Sequence, residues 1–247
     1  MKKTPAPQIA LVRAVAKKVV ADALEDKYAR AEIAPGGQPV LFNASITTYA
    51  ECYPLLPKIT QGVDSYQRVG DKIRPKSLRV ELYMVANGTL TTSMLQRVRL
   101  FVLQDKSLSN WSSIDTTPIG NQLLDFGSFL GGFSGLPNCE LIRVNQRRYK
   151  VIKDKVVTLA KGTGLTPNTG GLNGTQTFVG TQQYHKITFR IPTPAVLHYS
   201  NPLDSYPTNF APFMCLGYTQ PDGDVAPDSG VFKVAVQFSS HLDYEDA

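Results

Sequence analysis

From Ser77 onward the side chains alternate, with Leu78, Val80, Leu82 and Met84 on one side and Arg79, Glu81, Tyr83 and Val85 on the other. A period of two is the geometry of a strand with one face in a core and the other toward water. Gly70 and Asp71 supply turn chemistry ahead of it, and Pro75, which has no backbone donor, predicts that the strand starts after it. The alternation returns over residues 96–104, where Val98, Leu100 and Val102 oppose Arg97, Arg99, Phe101 and Leu103. The second set is itself largely apolar, so this strand is expected to have protein on both faces. Asn87-Gly88 is a hairpin signal, although the connection through Ser93 is longer than a two-residue turn. Further strands are predicted at residues 40–49, 147–159, 184–191, 213–219 and 230–242, with a weak one at 196–199. Residues 107–141 and 162–180 keep no period. The first stretch is expected to make surface or inter-subunit contacts, and the second to be a polar loop.

Helical spacing occurs over residues 8–30, where Val12, Val15, Val19 and Ala23 form one stripe. The Pro35-Gly36-Gly37-Gln38-Pro39 segment cannot continue a helix. The chain therefore divides, as predicted, into a basic N-terminal helical arm with its hinge, residues 1–39, and a body, residues 40–247. In the arm Lys2, Lys3, Arg13, Lys17 and Lys18 precede Asp22, Glu25 and Asp26. This order opposes the helix macrodipole, which favours acids first, and is explained either by anion binding or by a solvated face. Strands joined by several long connections, without βαβ alternation, predict one all-β domain: an eight-stranded jelly roll, a Greek-key β-sandwich.

Composition narrows the function more than the fold. A 42% hydrophobic fraction over 247 residues supports a large single core. No run of eighteen apolar residues is present, so membrane insertion is not expected, and the start of the chain lacks the apolar stretch of a signal peptide. Cys52, Cys139 and Cys215 are scattered, which predicts buried thiols and neither a disulfide framework nor a zinc site. His185, His198 and His241 form no metal-ligand spacing, and neither a nucleophile elbow nor a phosphate loop occurs. Asp105, Asp115, Asp125, Asp204, Asp222 and Asp224 lie in or beside loops without EF-hand spacing, where solvated turns account for them better than calcium does. An enzyme is not expected, nor is a cofactor or a metal. The formal charge of +6 is compatible with a polyanionic partner.

The segment Arg68-Val69-Gly70-Asp71-Lys72-Ile73 followed by Lys76-Ser77-Leu78 resembles the R-x-G-x-x-I…K-S-L signature of coat proteins from small circular, Rep-encoding single-stranded DNA viruses, the circovirus-like group. Residues 98–106, 148–159, 184–191 and 232–246 extend the similarity, in order, as successive strands. The resemblance implies a jelly-roll capsid subunit that self-assembles into an icosahedral shell of about sixty copies and encloses single-stranded DNA. Its location would be the virion, after synthesis in the host cytoplasm. Many members of that group carry a dense Arg-rich arm, whereas this chain has sparse lysines on a regular helical repeat.

Under this reading Lys2, Lys3, Arg13, Lys17 and Lys18 are the first candidates for nucleic-acid contact, and Arg147, Arg148 and Lys150 the next. Alternation splits the strand charges between two faces, which weighs against a groove there. Trp111, Phe126, Phe129, Leu130 and Phe133 are expected at the subunit interface, because a shell subunit must cover apolar loop surface. The alternative function is a soluble oligomeric β-sandwich binding module, lectin-like or cytokine-like, without nucleic acid.

Overall fold

The computed structural model describes residues 11, 12, 15, 25–32, 39–46, 51–88, 94–107, 110, 111, 119, 122–166, 177–182, 184–220 and 232–246. They form an all-β structure in which two antiparallel sheets pack as a sandwich. One sheet is built on the long strands β4 (Lys72–Gly88) and β13 (Phe232–Asp246), which pair along their length. On the free side of β13 lie β1 (Asp26–Glu32) and β2 (Val40–Phe42), end to end. On the free side of β4 lie β10 (Tyr184–Ile191) and β11 (Leu197–His198). The other sheet runs in the order β3 (Cys52–Pro54), β12 (Pro212–Thr219), β5 (Met94–Asp105), β8 (Tyr149–Thr166) and β9 (Thr177–Gln182).

The alternating residues go where a two-residue period sends them. Leu78, Val80, Leu82 and Met84 of β4 meet Val98, Leu100 and Val102 of β5 in the core between the sheets. The opposite face of β5 is covered as well, with Phe101 and Leu103 fully buried in a second apolar cluster. What covers it is the connection from β5 to β8. This segment folds back over the sheet and inserts Leu123, Leu124, Phe133, Cys139 and Val144, with a small hairpin of β6 (Leu124–Asp125) and β7 (Leu130–Gly131) at its outer end. A third layer thus replaces water on that face, and each large apolar side chain it buries contributes about 1.5–3 kcal/mol. Phe133 fits because position 217 has no side chain: a Cβ on Gly217 of β12 would stand 2.3 Å from the Phe133 ring. Gly217→Ala is expected to lower stability by about 1–3 kcal/mol through overpacking, seen as a lower urea midpoint at unchanged slope.

Five expectations are corrected here. Asn87-Gly88, expected at a hairpin turn, ends β4 in register with Lys233 and Phe232, and β5 pairs in the other sheet, because the chain crosses the sandwich at this point. The predicted helix does not reach Arg30, because Asp26–Glu32 is a strand with Lys27 and Ala29 turned inward and Tyr28 and Arg30 outward. Alanine is the best helix former, but intrinsic propensity is a small term, and pairing along the edge of β13 outweighs it. Leu11, Val12 and Val15 are helical and exposed. The strand expected to start after Pro75 starts at Lys72, since Pro75 falls at a register shift where the missing donor disrupts no regular ladder. Residues 162–180, expected as a polar loop, include the end of β8 and most of β9, paired from Lys161↔Gln182 to Thr166↔Thr177. A ladder held by backbone bonds needs no apolar period to form. Of the strand expected over residues 40–49, the described residues 40–46 form Val40–Phe42 and then a lone bridge from Ile46 to Phe133, and residues 47–49 lie outside the described residues.

Candidate interaction surfaces

The segment that carries the family resemblance is a structural clamp. Arg68 is fully buried, and its guanidinium donates to the carbonyls of Gly70 (2.6 Å), Asn201 (2.8 Å), Pro202 (3.2 Å) and Asp204 (3.2 Å) and to the Asp71 carboxylate (3.2 Å). It also lies over the Tyr199 ring, 4.2 Å from the centroid. Burial holds the Tyr199 phenol well above its usual range, against the pull of the Arg68 charge. A planar fork of five donors can serve five acceptors in a fixed geometry, where an ammonium has three donors on a flexible stem. Gly70 and Asp71 turn the chain so that Ile73 and Leu78 enter the core. Lys76 pairs with Asp26 (2.5 Å) and Glu245 (2.7 Å), and the Ser77 hydroxyl donates to Asp243 (2.7 Å). Nearby, Lys27 reaches Asp246 at 2.8 Å; burial pulls its ammonium down, but Asp246 and Glu25 outweigh that and hold it above the ordinary value. The motif therefore ties β1, β4 and β13 together at one end of the sheet.

The residues expected at a subunit interface separate into two groups. Trp111 and Phe133 belong to the second apolar cluster and are covered by their own chain, which corrects the interface assignment for both. The reading failed because residues 107–141 look like a surface loop, whereas Phe101, Leu103 and Phe213 needed a cover. Phe126 is half-buried at the rim of that cluster and stacks on Phe129, with centroids 4.7 Å apart and planes 6° from parallel. Phe129 (61% exposed) and Leu130 (41%) remain open to solvent. They line a cavity of about 320 Å³ together with Asp125, Arg143 and Arg147. Two exposed apolar groups beside two guanidiniums and one carboxylate suit a protein surface of mixed character.

The candidate nucleic-acid residues also divide. Lys2, Lys3, Arg13, Lys17 and Lys18 lie outside the described residues. Arg148 is engaged by its own chain: it pairs with the fully buried Asp105 carboxylate at 3.0 Å, donates to Gln122 and lies over Tyr149. Arg147 points to the cavity just described. Lys150 is exposed on β8. Arg99, a strand base with no role assigned from sequence, is buried and holds Asp154 through two bonds of 2.8 and 2.6 Å while donating to the carbonyls of Cys139 and Ile142. It pins the covering layer to the sheet.

Among the described residues no three His, Cys, Asp or Glu side chains are placed to hold a metal ion. Cys52, Cys139 and Cys215 are buried free thiols. Burial pushes the Cys52 thiol far up, helped by Cys215 opposite it in the ladder. No helix among the described residues is long and apolar enough to cross a membrane. In comparisons with known proteins the chain matches no family model and no curated protein sequence.

Proposed function

We propose that this chain is a capsid subunit with a jelly-roll fold, which assembles with copies of itself into a closed icosahedral shell around single-stranded DNA. The strand order carries the reading. With β1 and β2 counted as one interrupted strand, β10 and β11 as another, and β9, which pairs only with the end of β8, left outside the nest, eight strands pair first with last (β1/β2 with β13), second with seventh (β3 with β12), third with sixth (β4 with β10/β11) and fourth with fifth (β5 with β8). They alternate between the sheets as one, two, one, two, two, one, two, one. Nested pairing of this kind is a single long hairpin rolled into two Greek keys, the plan of jelly rolls in viral shells and in lectins. The exposed Phe129 and Leu130, beside Arg143 and Arg147, offer each copy a contact of mixed character, and repeated contacts with closed symmetry make a shell.

Sedimentation and electron microscopy of the purified full chain test this reading. Uniform round particles far larger than the 27.1 kDa chain are expected at neutral pH and moderate salt. A discrete trimer under all conditions would return the lectin-like or cytokine-like alternative, and a monomer would overturn both.

A further inference from the structure

One flank of the sandwich is left open by both sheets. In the second sheet β9 pairs only with residues 161–166 of β8, so residues 149–160 carry β5 on one side and no strand on the other among the described residues. In the first sheet β10 pairs with β4 and has no described strand beyond it. The two free edges meet: the Lys153 ammonium stands 4.9 Å from the centroid of Phe189 on β10.

These edges hold more positive charge than their surroundings neutralise. Lys150, Lys153 and Lys155 lie along β8, and Lys186 and Arg190 along β10. Of the nearby acids, Asp154 is taken by Arg99, and Glu81 is shared by Lys186 (3.3 Å) and Arg79 (2.7 Å). Lys150, Lys153, Lys155 and Arg190 have no carboxylate at ion-pair distance among the described residues. The field is felt inside the flank: the His185 imidazole is held below its ordinary value by burial and by the charge of Lys155. Tyr184, 65% exposed, stacks on Tyr83 with centroids 5.1 Å apart and presents a rigid aromatic face on the same edge.

Alternation, which splits these bases between two faces of a strand in mid-sheet, does not divide them at an edge. A chain running beside the edge touches side chains that lean from either face. Inward-pointing lysines also guard open edges against pairing with another strand, and that accounts for Lys153 and Lys155. It does not account for Lys150 and Arg190, or for an exposed tyrosine stack.

We propose that the flank between β8 and β10 binds single-stranded nucleic acid, with Lys150, Lys153, Lys155 and Arg190 on the phosphates and Tyr184 under a base. This rests on the reading of the protein as a nucleic-acid-enclosing shell, and names where the body of the subunit holds the strand. Charge complementarity fixes the occupant: a flexible strand bringing one negative charge per nucleotide and a π-face on every base matches bases on two edges beside a tyrosine.

The test uses the full chain and a short oligothymidylate, with affinity followed by fluorescence anisotropy across a salt series. Lys150→Ala, Lys155→Ala and Arg190→Ala together remove three phosphate contacts from exposed positions, so the slope of log affinity against log salt is expected to become shallower by about 2. The same three positions changed to charge-keeping residues, Lys150→Arg, Lys155→Arg and Arg190→Lys, are expected to retain the slope. Tyr184→Leu is expected to weaken binding about tenfold with the slope unchanged. Should the triple alanine variant melt abnormally, Lys155→Ala alone is expected to lose about 0.7 of slope. An unchanged slope in the alanine variants, with the parent binding normally, overturns the flank while leaving the shell reading intact. Loss of particles with the slope retained also overturns it, and assigns the flank to an acidic surface of a neighbouring copy. A parent chain that neither binds the oligonucleotide nor assembles removes the functional reading itself.

Discussion

Replacing Phe133 by Asp is expected to destabilise the protein by about 4 kcal/mol or more, whereas Phe129→Asp is expected to leave the urea midpoint nearly unchanged and to weaken self-association. The two residues are four apart in sequence and differ in surroundings. Phe133 is 1% exposed, packs edge-on against Phe101 with centroids 5.8 Å apart, and shares a backbone bond with Ile46. Truncating a buried Phe costs about 3–5 kcal/mol, and a carboxylate without a partner in that cluster adds a desolvation penalty. Phe129 is 61% exposed and stacks on Phe126 from the solvent side, so an acid there meets water. Sedimentation of the Phe129 variant should show small species where the parent forms large ones. Equal melting of the two variants would place Phe129 in the fold as well and remove it from the interface.

Arg68→Ala is expected to lower the unfolding free energy by about 3–5 kcal/mol, a large share of the 5–15 kcal/mol typical of a folded domain. The loss comes from the carbonyls of Gly70, Asn201, Pro202 and Asp204, which the guanidinium serves together and which have no equivalent donor when it is gone. Arg68→Lys is expected to recover only part of this, because three donors on a flexible stem do not reproduce a planar fork. Asp71→Asn should cost less than about 1 kcal/mol, since that carboxylate is 59% exposed and solvent screens its pairing. Denaturant unfolding of the three variants checks the ranking; a benign Arg68→Ala would mean that the loop at residues 199–204 is held by other contacts.

Strand identity was legible wherever burial alternates, as in β4, β5 and β10, because a two-residue period leaves a direct trace in the sequence. The fully covered character of β5 was legible too, from Phe101 and Leu103 opposite Val98, Leu100 and Val102. What covers it was not, since Trp111, Leu123, Phe133 and Val144 follow no period and meet the sheet one at a time from an irregular segment. The edge strand β1 was hidden for a different reason: Ala29, Ala31 and the mixed charges around them read as helix until a partner strand is known. The role of Arg68 was equally out of reach, because its acceptors lie more than a hundred residues away at Asn201 and Pro202. Charges on β8 looked divided between faces because sequence does not disclose that its first two-thirds form an edge.

The nested pairing of strands has a consequence for how the chain is made. Asp26 pairs with Glu245 and Val40 with Val236, so the strand between β1/β2 and β4 in the first sheet is made after every other described strand. Until β13 arrives, β1 and β2 have no partner strand and one edge of β4 is unpaired, while β5 and β8, adjacent in the nest, are already able to pair. Folding from the innermost pair outward is a high-contact-order route, slow and exposed to aggregation. The first sheet is therefore incomplete until β13 has been made, and each earlier strand in it waits with an open edge.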